Sequence, residues 1–239
     1  MTPPLVLNTT RPMLDRRIRW RRVLIYVGVT LFCFFLAGTH DYELYHQFKP
    51  IDTGEQDWHR MLRVLGYVPL WGAAALAMAC LDFRLIRVQG FTLAMARPIL
   101  LLLAVLSTAA LVEPIKIITR RVRPDLSHGE WMWRSWLDRP FDAGGLCTPS
   151  SHAAIAFAAC FMLCKLHPRA TPVWIALAIG CGVTRVINHA HFLSDIVISA
   201  ALALAVVDMW WNQHRRTLAR LQPPAATQAS PADAIPGGD

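Results

Sequence analysis

Six apolar runs, at about 23–38, 62–81, 98–118, 151–166, 172–188 and 192–211, constrain this 239-residue chain more than any other feature. A helix that crosses a bilayer needs roughly 17–25 predominantly apolar residues. Several runs sit at the low end of that range, and the fourth and fifth, taken alone, would pass for buried core helices. Six in one chain leave too little polar sequence to cover a soluble surface, because 54% of the residues are hydrophobic and only 17% are charged. The expectation is an all-α integral membrane domain: a bundle of six transmembrane helices over 23–211, a basic cytoplasmic segment at 1–22 and a cytoplasmic tail at 212–239. After Leu221 the tail reads QPPAATQASPADAIPGGD, a Pro- and Ala-rich composition expected to be disordered.

The net charge of +8 would suggest nucleic acid if the cations formed a patch on a soluble domain. They are instead distributed around the spans. Arg11, Arg16, Arg17, Arg19, Arg21 and Arg22 precede the first run, and Arg84, Arg87 and Arg97 separate the second from the third. Lys165 and Arg169 follow the fourth, and Arg215, Arg216 and Arg220 follow the sixth. With six crossings all four segments share one side, which the positive-inside rule makes cytoplasmic, so the topology is expected to be N-in and C-in. The opposite loop, about 39–61, carries Asp41, Glu43, Asp52, Glu55 and Asp57 against Lys49 and Arg60. The first run has no clear small-residue cleavage pattern after it and reads as a retained helix rather than a signal peptide. Cys33, Cys80, Cys160, Cys164 and Cys181 lie in or beside the runs, leaving Cys147 as an isolated thiol in the outer loop and no basis for a structural disulfide.

The polar residues that remain gather in three blocks: KIITRRVRP (Lys116–Pro124), PSSH (Pro149–His152) and TRVINHAHFLSD (Thr184–Asp195). All three fall at span ends or loops on the outer side. Lys116 and Arg123 are seven apart, about two helical turns, and Pro124 biases Arg123 out of the helix toward a fixed exit. Such a pair neutralises phosphate oxygens, the arginine in bidentate fashion. Ser150 reads as an N-cap, and a helix N-terminus also favours an anion. His152, in the first turn, is placed to act as general acid. Arg185 is a costly cation near the end of the fifth run, where it must face a polar cavity or a partner. His191 and Asp195, four apart, would share a helix face, with the carboxylate accepting from one ring nitrogen while the other attacks phosphorus. Each residue also has a local structural reading. Lys116 and the arginines at 120, 121 and 123 can be interfacial cations, Ser150 a cap alone, and the His191–Asp195 pair a tie between helices. The sequence HAH at 189–191 raises a metal site, but the carboxylates expected around Mg²⁺ or a two-metal centre are missing. Trp131, Trp133 and Trp136 read as an interfacial belt resting on the outer leaflet.

In this order the three blocks resemble the signature of the type 2 phosphatidic acid phosphatase superfamily, KxxxxxxRP, PSGH and SRxxxxxHxxxD, over residues 116–195. Two positions depart from it. Ser151 stands where the family usually has glycine, adding a Cβ where backbone approaches phosphate, and Thr184 stands where it usually has serine. The resemblance implies that His191 forms a phosphohistidine, oriented by Asp195. It implies that Lys116, Arg123, Ser150 and Arg185, with Ser151 beside them, hold the phosphate, and that His152 protonates the leaving group. No metal or other cofactor is implied. The partners are then the bilayer and a membrane lipid substrate rather than nucleic acid. With an outward site, a bacterial inner membrane with the active site facing the periplasm is expected. The substrates expected are a lipid A phosphate, undecaprenyl pyrophosphate or phosphatidylglycerol phosphate. A lipid phosphotransferase would use the same residues. An ion- or proton-coupled transporter would need Arg185, His191 and Asp195 near the midplane rather than at span ends, and a haloperoxidase of this pattern is usually soluble.

Overall fold

The computed structural model describes residues 11–49 and 57–221. Asp52, Glu55 and the expected disordered tail from residue 222 lie outside the described residues. The chain runs α1 (Arg11–Gly38), α2 (Asp41–Gln47), α3 (Asp57–Val64), α4 (Val68–Asp82), the short α5 (Ile86–Gln89) and α6 (Phe91–Ala94), and α7 (Ala96–Thr119). It continues through α8 (Pro124–Ser127), α9 (Ser151–Leu166), α10 (Thr171–Ile187) and α11 (Leu193–Leu221). Among the described residues there is no β-strand; two isolated bridges, Arg121 with Trp133 and Val122 with Leu146, tie the segment between α7 and α9 to itself.

Among the described residues, five helical segments are long and apolar enough to cross a membrane: Trp20–Gly38, Val68–Leu85, Ala96–Thr119, Pro168–Ile187 and Leu193–Arg220. The fourth expected span, Ser151–Leu166, is a 16-residue helix. At 1.5 Å per residue it is roughly 24 Å long against a hydrocarbon core of about 30 Å. The second expected run, 62–81, is not one element. Its first residues close α3, the chain breaks at 65–67, and Pro69 opens α4, where its missing N–H costs no hydrogen bond.

The short helix is the hub. α9 packs against α7, α10 and α11, while α4 packs on α7, α1 on α11 and α3 on α10. Ala153, Ala154, Ala156, Ala158, Ala159 and Cys160 are fully buried in it. A helix apolar on every side is stable only when enclosed, and small side chains let the neighbouring backbones come close. Large apolar side chains face outward elsewhere: Leu24, Phe32, Leu76, Ile118 and Val173 are more than half exposed. That surface suits lipid tails as its solvent.

Candidate active site

The three polar blocks meet at the end of the bundle where α9 begins. Lys116 occupies the last turn of α7. Arg123 is extended, at φ −65° and ψ 150°, as the residue before Pro124. Ser150 caps α9, its hydroxyl accepting from the Ala153 N–H at 3.4 Å, and Ser151 and His152 form the first turn. Arg185 lies in the last turn of α10. Its carbonyl accepts from the N–H groups of Ala190 at 3.2 Å and His191 at 3.3 Å, which turns the chain back and hangs His191 beside the guanidinium's own helix.

His191 is 3% exposed, and its Nδ1 lies 2.8 Å from the Cys147 carbonyl. A carbonyl only accepts, so Nδ1 carries the proton and Nε2 keeps a lone pair. Burial, then the charges of Arg185, Arg123 and Lys116, push the His191 pKa well below the ordinary imidazole value. A neutral ring is the form a nucleophile needs. The orienting group differs from the sequence expectation. Asp195 Oδ2 is 3.9 Å from His191 Nδ1, beyond hydrogen-bond reach, because His191 lies before α11 rather than on its face. Asp195 instead accepts from the Phe192 N–H at 2.9 Å, the Thr148 hydroxyl and Arg121 at 2.9 Å. It thereby fixes the Cys147–Thr148 segment whose carbonyl holds the imidazole.

Arg185, Arg123 and Lys116 are the cations near enough to act on the His191 ring. The charges acting on His152 are Arg185, Arg63, Lys116 and Arg123, in that order. Lys116 donates to Glu113 at 3.0 Å and to the Ser151 hydroxyl, which itself donates to Glu113 at 2.9 Å. Ser151, at the position where glycine is usual, thus joins a carboxylate to the lysine. The Nε atoms of Arg63 and Arg185 and Nε2 of His152 are buried without a hydrogen-bond partner among the described residues. Buried polar atoms left unpaired are costly, and these three belong to side chains that an anion in the site could partner.

Sequence reasoning missed four participants. Arg121, read as interfacial, is buried and clamped between the Trp131 and Phe192 rings, with its carbon 4.2 and 4.0 Å from their centroids. It donates to Asp195, to the Ser194 hydroxyl at 2.7 Å and to Asp41 at 2.9 Å. Asp41, read as a surface acid, is 2% exposed and also accepts from Trp131 Nε1 at 3.0 Å and the Ser194 N–H at 3.1 Å. Trp131 therefore covers this ion cluster, while Trp133 and Trp136, 60% and 58% exposed, remain free to form a belt. Arg63 and Glu113 lay outside the three blocks and gave no local signal. Cys147 is fully buried, its thiol directed at the Val122 carbonyl at 3.1 Å, and burial and Asp195 raise its pKa well above the ordinary thiol value. It is no exposed outer thiol. His189 sits 2.9 Å from the Phe48 carbonyl and stacks on Tyr45. Arg120 donates to the carbonyls of Arg134, Pro140, Ser135 and Asp138 and so organises the loop between α8 and α9 rather than the pocket.

A neutral imidazole with a free Nε2, a second histidine and a ring of cations is equipped to take a phosphoryl group. The chain's fold resembles the crystal structure of the first transmembrane PAP2 type phosphatidylglycerolphosphate phosphatase from Bacillus subtilis. The TM-score is 0.57 at 17% identity, over 80% of this chain and 96% of that one. No curated protein matches the chain. The sequence profile of the PAP2 superfamily matches residues 97–218, more than half of the chain and inclusive of all three polar blocks, and the protein belongs to that superfamily.

Proposed function

We propose that the protein is a membrane lipid phosphatase that removes the phosphomonoester or terminal pyrophosphate group of its substrate through a phosphohistidine on His191. The observation that carries this reading is the His191 ring itself. Its Nδ1 proton is committed to the Cys147 carbonyl, which leaves Nε2 as the free atom beside Arg185, Arg123 and Lys116. Nε2 forms a bond to phosphorus as the bond to the leaving oxygen breaks, and His152 supplies that oxygen with a proton. Lys116, Arg123, Arg185 and the Ser150 and Ser151 hydroxyls hold the phosphoryl oxygens, the charge of the transition state being met by groups already in place. Water then attacks phosphorus, the P–N bond breaks with its electron pair returning to Nε2, and phosphate leaves.

The charge pattern supports an N-in, C-in arrangement with the site facing the periplasm of a bacterial inner membrane. In this reading the 16-residue α9, enclosed by its neighbours, makes the sixth crossing, and the pocket at its N-terminus opens toward the headgroups of the outer leaflet. Lipid A, undecaprenyl pyrophosphate and phosphatidylglycerol phosphate all present their phosphates there. The test is phosphate release by purified protein from a panel of these lipids, with His191→Ala as the control. Wild-type release with less than about a tenth remaining in the variant supports the reading. Release that survives the substitution removes His191 as nucleophile, and phosphate appearing on an added lipid acceptor rather than in water identifies a phosphotransferase.

A further inference from the structure

The bundle sets a carboxylate on two of the groups assigned to the phosphate. Glu113 and Lys116 are three apart on α7 and share a face, and Lys116 Nζ donates to Glu113 Oε1 at 3.0 Å. From the first turn of α9, the Ser151 hydroxyl donates to the same Oε1 at 2.9 Å and accepts from Lys116. A serine hydroxyl has one proton to give and an ammonium three. Ser151 has therefore committed its only proton to Glu113, and Lys116 keeps one N–H beyond its bonds to Glu113 and Ser151. A glycine at 151 would have no side chain to close this triangle, so the arrangement belongs to this chain's departure from the PSGH pattern.

The two charged partners differ in exposure. The Lys116 side chain is 7% exposed and that of Glu113 is 53% exposed. The ammonium is thus fixed in the wall of the site, whereas the carboxylate can turn toward water and keep its hydration there. A pair with one partner so exposed is weakly held, and opening it costs little. Phosphate brings several oxygens and more than one negative charge to the ammonium, where Glu113 brings one carboxylate. Both anions need the same donors, and their like charges disfavour holding them side by side.

We infer that Glu113 is a displaceable counter-ion: it occupies Lys116 and Ser151 in the empty site, turns out toward water when a phosphate enters, and returns to the same donors as inorganic phosphate leaves. The inference rests on the phosphatase reading above. Its consequence is selective weakening of product binding. A lipid substrate is held at the site by its tail as well as its phosphate, but inorganic phosphate has only the polar donors, so competition from Glu113 falls hardest on the product.

Binding of inorganic phosphate to the purified protein in detergent, read from the rise of Tm with phosphate concentration, tests this without turnover. Glu113→Gln keeps the shape and removes the charge, and should lower the phosphate Kd by about three- to tenfold. Glu113→Ala should move it in the same direction, and the Ki for phosphate during turnover should fall with it. If Glu113 served instead to hold Lys116 in position, both variants would bind phosphate more weakly, which is the opposite sign. Unchanged or weaker phosphate binding in Glu113→Gln overturns the inference, as does a wild type and variant that both fail to bind phosphate. If Glu113→Gln does not fold, the same outcomes are read from Glu113→Ala. Tighter phosphate binding in the variant, together with no His191-dependent release from the lipid panel, would instead count against the phosphatase reading and leave the competition standing.

Discussion

Arg121→Met tests whether the ion cluster at the N-terminal end of α11 determines the stability of the bundle. In the native protein one guanidinium lies between two carboxylates, Asp41 and Asp195, at 2.9 Å from each, with side chains 3%, 0% and 0% exposed. Methionine keeps most of the volume and the contact with the Trp131 and Phe192 rings, but leaves two buried carboxylates facing one another. Removing one partner of a buried pair costs about 3–5 kcal/mol, mostly from the charge left uncompensated. Asp41→Asn is the informative comparison. It leaves the balanced Arg121–Asp195 pair in place and an amide oxygen able to accept, so its cost should be nearer the about 1–3 kcal/mol of an imperfectly satisfied buried group. For a domain of this size 1 kcal/mol moves the melting temperature by about 2–4 °C. Arg121→Met should therefore lower Tm by about 6–20 °C and Asp41→Asn by distinctly less. Intrinsic fluorescence from the nine tryptophans reports the transition in detergent. An Arg121→Met loss below about 1 kcal/mol, or one no larger than that of Asp41→Asn, refutes the charge-balance argument and reduces the cluster to packing.

The same site makes four further predictions. Arg185→Lys keeps the charge but loses the fork, so it should cost about 1–3 kcal/mol of transition-state stabilisation on any substrate; the penalty of His152→Ala should shrink with p-nitrophenyl phosphate, and equal penalties across leaving groups contradict its acid role. Activity should survive EDTA, because fixed cations occupy the phosphate's surroundings; loss on chelation, restored by a divalent ion, contradicts this. His191 has a folded pKa depressed below its ordinary 6.5, so the unfolded chain binds the extra proton first and stability should fall as pH drops below about 6.5, with a flatter Tm profile in His191→Asn; an unchanged slope removes His191 as the titrating group. Finally, a cysteine introduced at Leu137, 96% exposed in the outer loop, should react with an impermeant thiol reagent outside intact cells while one at Arg87 is protected, and the reverse pattern places the site in the cytoplasm.

What was legible in the sequence had local causes. Apolar run length marks helices whatever they pack against, and Arg123 declares its extended backbone through the proline after it. Ser150 declares a cap because a hydroxyl before an alanine-rich run satisfies the first free N–H groups. The unread parts all depend on partners distant in the chain. Arg121 and Asp41 are 80 residues apart, and alone each looks like an ordinary charge at a membrane surface. The same distance explains the His191 error. Spacing of four implies a shared helical face only if both residues are in the helix, and the bonds from Ala190 and His191 back to the Arg185 carbonyl hold His191 out of it. Its acceptor then comes from Cys147, 44 residues earlier, a backbone carbonyl that no side-chain pattern announces. The carboxylate at the fourth position remains necessary under this geometry, but for a different reason: it holds the loop that presents that carbonyl. Substituting Asp195 should therefore disturb the imidazole through the Cys147–Thr148 segment, and a Thr148→Val exchange, which removes the hydroxyl joining the two while leaving Asp195 paired with Arg121, should weaken turnover in the same direction.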